Sequence, residues 1–138
     1  MGSRKRKGIT FIVVRPEGTI LMQLRDAKSK HFPDAWCLPG GACNTGEKPI
    51  DAVLREAEEE YELKLNKHEC RLVTVYEPNY DKSLTDYIFL CSIDATQRPV
   101  MHEGADMKWM SIEEVKNLEL GFEQEAVITK LENALKQR

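Results

Sequence analysis

The chain has 138 residues, 41% of them hydrophobic and 31% charged, and a formal net charge of −3 at pH 7. That length and balance predict one globular domain able to bury a core without staples, and they exclude a disordered chain. The acidic balance argues against a general binder of nucleic-acid backbone, whose affinity needs a basic surface.

The opening MGSRKRK is basic and lacks apolar residues, so residues 1–8 are expected to form a flexible, solvated arm ahead of a domain over 9–138. ITFIVVR and ILMQLRD predict two strands joined by the turn PEGT, a hairpin. WCLPGG predicts a short apolar piece ending in a Pro-Gly-Gly turn. PIDAVLREAEEEYEL is the first strong helix, with Pro49 suited to its first turn. CRLVTVYE and DYIFLCSI follow as strands on either side of a polar loop rich in turn formers. DMKWM predicts another strand. SIEEVKNL predicts a short helix with Ser111 as N-cap and Glu114 closing a capping box, and EQEAVITKLENALKQR a final amphipathic helix. Strands and helices alternate irregularly, which predicts an α/β fold with a mixed sheet and helices on its faces.

No apolar run approaches a membrane span and no charged-then-apolar leader marks secretion, so a cytoplasmic location without membrane contact is expected. Cys37, Cys43, Cys70 and Cys91 show no CxxC spacing, which favours reduced thiols over a zinc knuckle.

The stretch GGACNTGEKPIDAVLREAEEEYEL holds an unusual density of carboxylates. At about 100° per residue, Ile50, Val53, Leu54, Ala57 and Tyr61 form an apolar stripe. Glu56, Glu59 and Glu60 share a sector beside that stripe, whereas Glu58 and Glu62 fall on the opposite flank, nearer to Arg55. Like charges at helical spacing repel. Alone, such a face is a solvated surface. A hard divalent cation with oxygen ligands would turn the repulsion into attraction. Magnesium or manganese fits all-carboxylate coordination, where zinc would want His or Cys.

The surrounding spacing sharpens that reading. Gly41 is followed by Glu47, then by Arg55-Glu56, then by Glu59-Glu60. This resembles the Nudix box, G-x5-E-x7-R-E-U-x-E-E-x-G-U, with U a bulky aliphatic residue, and Pro39-Gly40-Gly41 matches the family's usual lead-in. With each residue type filling roughly a tenth of positions or fewer, a chance match is on the order of one in a million per starting point. Two positions depart from the pattern. Ala57 stands where a bulky aliphatic is usual, and Glu62 replaces the glycine that ends the helix.

The resemblance implies an α/β/α sandwich around a mixed sheet, with the box as a loop-helix-loop. It also implies hydrolysis of the pyrophosphate in a nucleoside diphosphate linked to another group, with Mg2+ as cofactor and Mn2+ as the alternative. Glu56, Glu59 and Glu60 would hold the metal together with the backbone carbonyl of Gly41, and Arg55 would pair with Glu47 to orient the carboxylates. A base from a loop beyond the box occurs in several members; here Glu103 in HEGADMKWM is the candidate, with Glu56 or Glu59 as fallback.

Outside the box, Arg25 suits a phosphate by its bidentate guanidinium, with a surface ion pair as the bland alternative. Phe122, Phe32, Trp36, Tyr76 and Tyr80 are candidate stacking partners for a base, set against roles in the core or in turns. His31, His68 and His102 share no ligand spacing. The expected partner is a nucleotide-type small molecule. A non-catalytic nucleotide sensor and an RNA 5′-end pyrophosphohydrolase stay open as alternatives, and neither the leaving group nor the oligomeric state is legible.

Overall fold

Nine residues, Arg6–Val14, form strand β1, and the alternation of their side chains sets the layers of the molecule. Ile9, Phe11 and Val13 enter one core, while Ile12 and Val14 enter another on the opposite face. The computed structural model describes residues 5–136. Among them, seven strands join in one mixed sheet. β2 (Ile20–Leu24) forms the expected antiparallel hairpin with β1, and β3 (Trp36–Cys37) pairs with the end of β2 at Gln23 and Leu24. β4 (Gly40–Ala42) lies antiparallel to the start of β1. β5 (Cys70–Tyr76) is antiparallel to β6 (Leu84–Ser92), and β6 runs parallel to β1 from Arg6↔Leu84 to Val14↔Ser92. β7 (Asp106–Met110) pairs with β2.

Helix α1 (Pro49–Tyr61) buries Ala52, Val53, Ala57 and Tyr61 on one face of the sheet. Helices α2 (Ile112–Lys116) and α3 (Glu125–Lys136) cover the other, with Val115, Val127, Ile128 and Leu131 in its core. Each Val, Leu or Ile fully buried this way contributes about 1.5–3 kcal/mol. The result is the expected α/β/α sandwich around a mixed sheet. Ser111 and Glu114 form the expected capping box.

Two expectations need correction. Of the stretch expected as an arm over residues 1–8, residues 1–4 lie outside the described residues, and strand pairing already begins at Arg6. The backbone N–H of Arg6 donates to Ser83 at 2.7 Å, and its guanidinium pairs with Asp81, so the side chains at Arg6 and Lys7 stay exposed while their backbone joins the sheet. The Pro-Gly-Gly stretch is not a turn either. Gly40 and Gly41 are strand residues, and a Cβ on Gly40 would stand 2.5 Å from the Ile9 carbonyl oxygen. Close approach of two backbones, not a turn, requires that glycine.

Candidate active site

Arg55 organises one wall of a cleft. Its Nε donates to Glu47 Oε2 and its Nη2 to Glu47 Oε1, both at 2.9 Å, a two-pronged contact. Nη1 donates to Glu56 Oε1 at 2.7 Å and to Glu59 Oε2 at 3.2 Å, and Nη2 reaches the Ala42 carbonyl at 2.9 Å. A guanidinium has five N–H donors, and these contacts occupy them. Glu47 also accepts the Asn44 N–H at 2.9 Å. The Arg55 hydrogen bonds, with that backbone donor, hold the Glu47 carboxyl down at about 2.

Arg55 therefore does not sit with Glu58 and Glu62, as the helical projection placed it. Its Cβ projects from that flank, but the long side chain reaches back over the helix toward Glu56 and Glu59. Glu62 instead faces His102 at 2.7 Å. The pairing of Arg55 with Glu47 is present as the box resemblance implied.

Glu56 and Glu60 lie side by side. A Cβ on Gly41 would come within 2.7 Å of the Glu56 carboxyl carbon, so the glycine leaves the space that this carboxylate fills. Burial foremost, then the hydrogen bond and charge of Glu56 and the charges of Glu103 and Glu59, push the Glu60 carboxyl up to about 9. Two neighbouring carboxylates that cannot both ionise cheaply are a donor set that a hard divalent cation would satisfy. Glu59 is turned onto Arg55 and exposed. Of the expected three glutamates, two are thus brought together. Among the described residues no three acidic, imidazole or thiol side chains form a ready-made cage. A pair suits magnesium, which keeps several waters and is commonly held by one or two carboxylates.

Glu103 lies on a loop hung from the end of α1. The Val100 N–H donates to Tyr61 O and the His102 N–H to Glu60 O, each at 2.8 Å. The Ala105 N–H reaches Leu24 O at 2.8 Å on the other side. Buried Gln23 completes the attachment: its Oε1 accepts the Tyr61 hydroxyl, and its Nε2 donates to Glu103 O at 3.5 Å. Gly104 has φ +95°, and a Cβ there would stand 2.7 Å from Gln23 Nε2. The loop that carries Glu103 is thus pinned at both ends.

These groups share a cleft of about 860 Å³, which Gly41, Glu47, Glu60, Glu103, Arg25 and Phe122 all line. The Arg25 guanidinium sits 4.8 Å over the Phe122 ring, and its Nε donates to His31 O at 2.9 Å. Phe122 forms an aromatic cluster with Phe32 at 4.6 Å and Tyr80 at 5.7 Å between ring centroids. Trp36 and Tyr76, offered with them as stacking partners, pack against the sheet core on the α3 side. Sequence reasoning missed Gln23, Thr10, Asp86 and Gln124, which also line the cleft. The Gln124 Oε1 accepts the Leu38 N–H at 2.7 Å. Their only signal is position on strands and at a helix start far apart in the chain, which no local spacing connects.

A family model for the NUDIX domain matches residues 4–131. An m7GpppN-mRNA hydrolase of Danio rerio is 31% identical over 127 residues, covering 79% of this chain and 42% of the relative. Diphosphoinositol polyphosphate phosphohydrolase 3-alpha of Mus musculus is 30% identical over 92 residues, 67% of this chain and 52% of the relative. The chain thus spans about half the length of these curated relatives. In structure it is similar to a MutT/nudix family protein from Enterococcus faecalis, with TM-score 0.82 and 16% identity, covering 100% of this chain and 64% of that one. That likeness establishes the fold.

Proposed function

The chain belongs to the Nudix family, and from that premise we propose that it is a divalent-metal-dependent pyrophosphohydrolase acting on a nucleoside diphosphate linked to another group. The observation that carries the reading is the fully engaged Arg55, which holds Glu47, Glu56 and Glu59 in one network beside Glu60 on the cleft wall.

Glu56 and Glu60 would hold the ion with the Gly41 carbonyl, and Glu59 would join by leaving Arg55. Bound there, Mg2+ or Mn2+ would neutralise phosphate oxygens and acidify a water. Arg55 has no donor left for substrate, so its part is to fix the directions of Glu47 and Glu56. Glu103 accepts the proton of the attacking water from its pinned loop. Arg25, with one N–H committed to His31, turns its remaining donors to a phosphate. Phe122 offers a face for stacking. No helix among the described residues is long and apolar enough to cross a membrane. The four cysteines are free thiols, which suits the cytoplasmic setting we assign to this activity.

The test is a panel of pyrophosphate compounds with Mg2+ or Mn2+, both products identified, run in heavy-oxygen water. The panel holds nucleoside triphosphates, sugar nucleotides, dinucleoside polyphosphates, ADP-ribose, cap dinucleotides and pyrophosphorylated inositols. We expect cleavage between phosphates, heavy oxygen in one phosphate product, and complete loss of turnover with a chelator. Tight nucleotide binding without turnover under any divalent ion would overturn the reading in favour of a sensor.

A further inference from the structure

The cleft contains a carboxylate that the hydrolytic machinery proposed above does not use. Asp86 sits on β6, in register with Gly8 of β1, and lines the same cleft as Gly41 and Glu60. Its Oδ2 accepts the Thr10 hydroxyl at 2.7 Å. Its Oδ1 accepts nothing from the protein among the described residues. Gly8 keeps the space beside that oxygen clear: a Cβ there would stand 3.2 Å from Oδ1.

The electrostatics agree with an unanswered acceptor. Burial pushes the Asp86 carboxyl up to about 6, the Thr10 hydrogen bond opposes the shift, and no cation contributes. Solvent still reaches Oδ1, so a ligand that displaces water from this oxygen must bring a donor of its own to replace the lost hydrogen bond. Anchoring Thr10 alone would not require a charge, since an asparagine carbonyl accepts the same hydrogen bond.

The neighbouring wall defines the shape of what could bring that donor. Tyr80 and Phe122 line the cleft, and Phe32 packs against both at 5.5 and 4.6 Å between centroids. Burial first, then the charge of Asp86, push the Tyr80 phenol up to about 12, which places the ring within the field of that carboxylate. The Phe32 and Phe122 backbones are left-handed, with φ 50° and 58°, a conformation that non-glycine residues adopt at a cost and that gathers where a ligand is held. Tyr80, Phe122 and Asp86 line one cleft, so a planar group laid on the rings shares its space with the carboxylate.

We propose that Asp86 is the specificity-determining residue of the cleft, accepting a hydrogen bond from an amino-bearing nucleobase stacked against Tyr80 and Phe122. The substrate class is then a nucleotide whose base carries an exocyclic amino group, not a phosphorylated polyol. A polyol phosphate offers no face to the rings and sets like charge against Asp86. This inference rests on the pyrophosphohydrolase reading and narrows it.

The test measures kcat/KM for wild type, Asp86→Asn and Asp86→Ala with matched triphosphates: guanosine against inosine, and adenosine against purine riboside. A pyrophosphorylated inositol phosphate is the outgroup. In at least one pair we expect wild type to prefer the amino-bearing member by roughly 10–100-fold, the worth of one hydrogen bond to a charge. Asp86→Ala should erase that preference by slowing the amino-bearing member alone. If Ala fails to fold, Asp86→Asn keeps the Thr10 contact and should still lose the preference. Equal losses for both members of each pair, or a wild-type preference for the inositol compound, would overturn the role of Asp86 while leaving pyrophosphate hydrolysis intact. Should nothing be hydrolysed, the enzymatic reading fails by itself. Calorimetric Kd values for the same pairs then decide Asp86 by the same criterion.

Discussion

Helix α1 carries the groups we propose to react in consecutive turns, whereas the facing wall of the cleft gathers Tyr80, Asp86 and Phe122, backed by Phe32, from separate stretches of chain. The helical wall is internally satisfied. Each donor of Arg55 has an acceptor, and Glu47 is held from two sides. The facing wall is unfinished: Asp86 has an open oxygen, and two of its aromatic residues sit on left-handed backbone. Groups that do chemistry must be fixed before substrate arrives. Groups that recognise substrate are completed by it. The two walls should therefore respond to substitution in different kinetic constants.

The sharpest way to break the contrast is within α1 and its attached loop. Glu103→Gln should lower kcat by roughly 10²–10⁴, the usual worth of a general base, and leave metal affinity unchanged. The lost rate should partly return at high pH, where hydroxide needs no base. Metal loss in this variant would make Glu103 a ligand instead. Glu60→Gln should weaken metal binding and cost more than the 10–100-fold that disturbing a supporting partner costs. Glu58→Gln, exposed on the other flank, should change turnover by less than about twofold, since surface substitutions away from partners are nearly neutral. Similar losses from Glu58→Gln and Glu60→Gln in metal titrations and steady-state rates would remove the asymmetry of the helix.

Arg55→Lys comes next. A lysine keeps the charge but cannot span Glu47, Glu56 and the Ala42 carbonyl together. We expect kcat to fall about 10–100-fold, as for other supporting partners, with KM nearly unchanged. A collapse of KM at constant kcat would make Arg55 a substrate contact and place it functionally on the other wall.

How much of each wall could be read in advance follows from the same contrast. Gly41, Glu47, Arg55, Glu56 and Glu60 follow one another through a strand end, a loop and one helix, so the likeness of their spacing to the Nudix box was enough to imply their meeting. The turn of Arg55 away from its own flank was not legible, because helical projection places Cβ atoms and not the ends of long side chains. Pro39-Gly40-Gly41 reads as a turn by composition, and only the pairing of β4 with β1 reveals glycines chosen for close approach. Asp86 was invisible for a different reason. One acid in the strand DYIFLCSI has no local partner, and its neighbour Thr10 is distant in the chain. Parallel pairing of β1 with β6 creates that contact, and no local pattern encodes it.

The facing wall also makes a prediction about stability. The folded pKa of Asp86, about 6, lies above its unfolded value of about 3.9. Between those values the folded state holds the extra proton, so wild type loses stability as pH rises from about 4 to 6. Asp86→Asn removes the buried charge and keeps an acceptor for Thr10. It should be more stable than wild type at pH 7, and the gap should close below about pH 4. Denaturant melts at the two pH values check this. A gap that is constant with pH would mean that Asp86 is already paired, and the facing wall would then be as satisfied as the helical one.

The smallest expected effect lies where α1 ends. Glu62 occupies the position at which the box ordinarily has glycine, and it adopts φ 53° and ψ 33°. The helix exit is therefore the left-handed one that glycine would make: the Glu62 N–H closes on Glu58 O at 3.0 Å and the Leu63 N–H on Ala57 O at 3.1 Å. Leu63 is thereby delivered fully buried into the core. Left-handed backbone costs a non-glycine residue about 1–2 kcal/mol. The exposed Glu62–His102 contact offsets little, since such pairs contribute about 0–1 kcal/mol. Glycine loses more backbone freedom on folding, which takes back about 0.4–1 kcal/mol. Glu62→Gly should thus gain stability by no more than about 1.5 kcal/mol, a Tm rise of a few degrees. Glu62→Gln keeps the backbone cost and removes only the carboxylate that meets His102, so it should lower Tm slightly or not at all. The difference between the two variants isolates the backbone term. If Glu62→Gly melts below Glu62→Gln, the contact with His102 supports the Glu103 loop more than the strained exit costs. In that case kcat should fall along with Tm, because the His102 backbone also hangs that loop from Glu60.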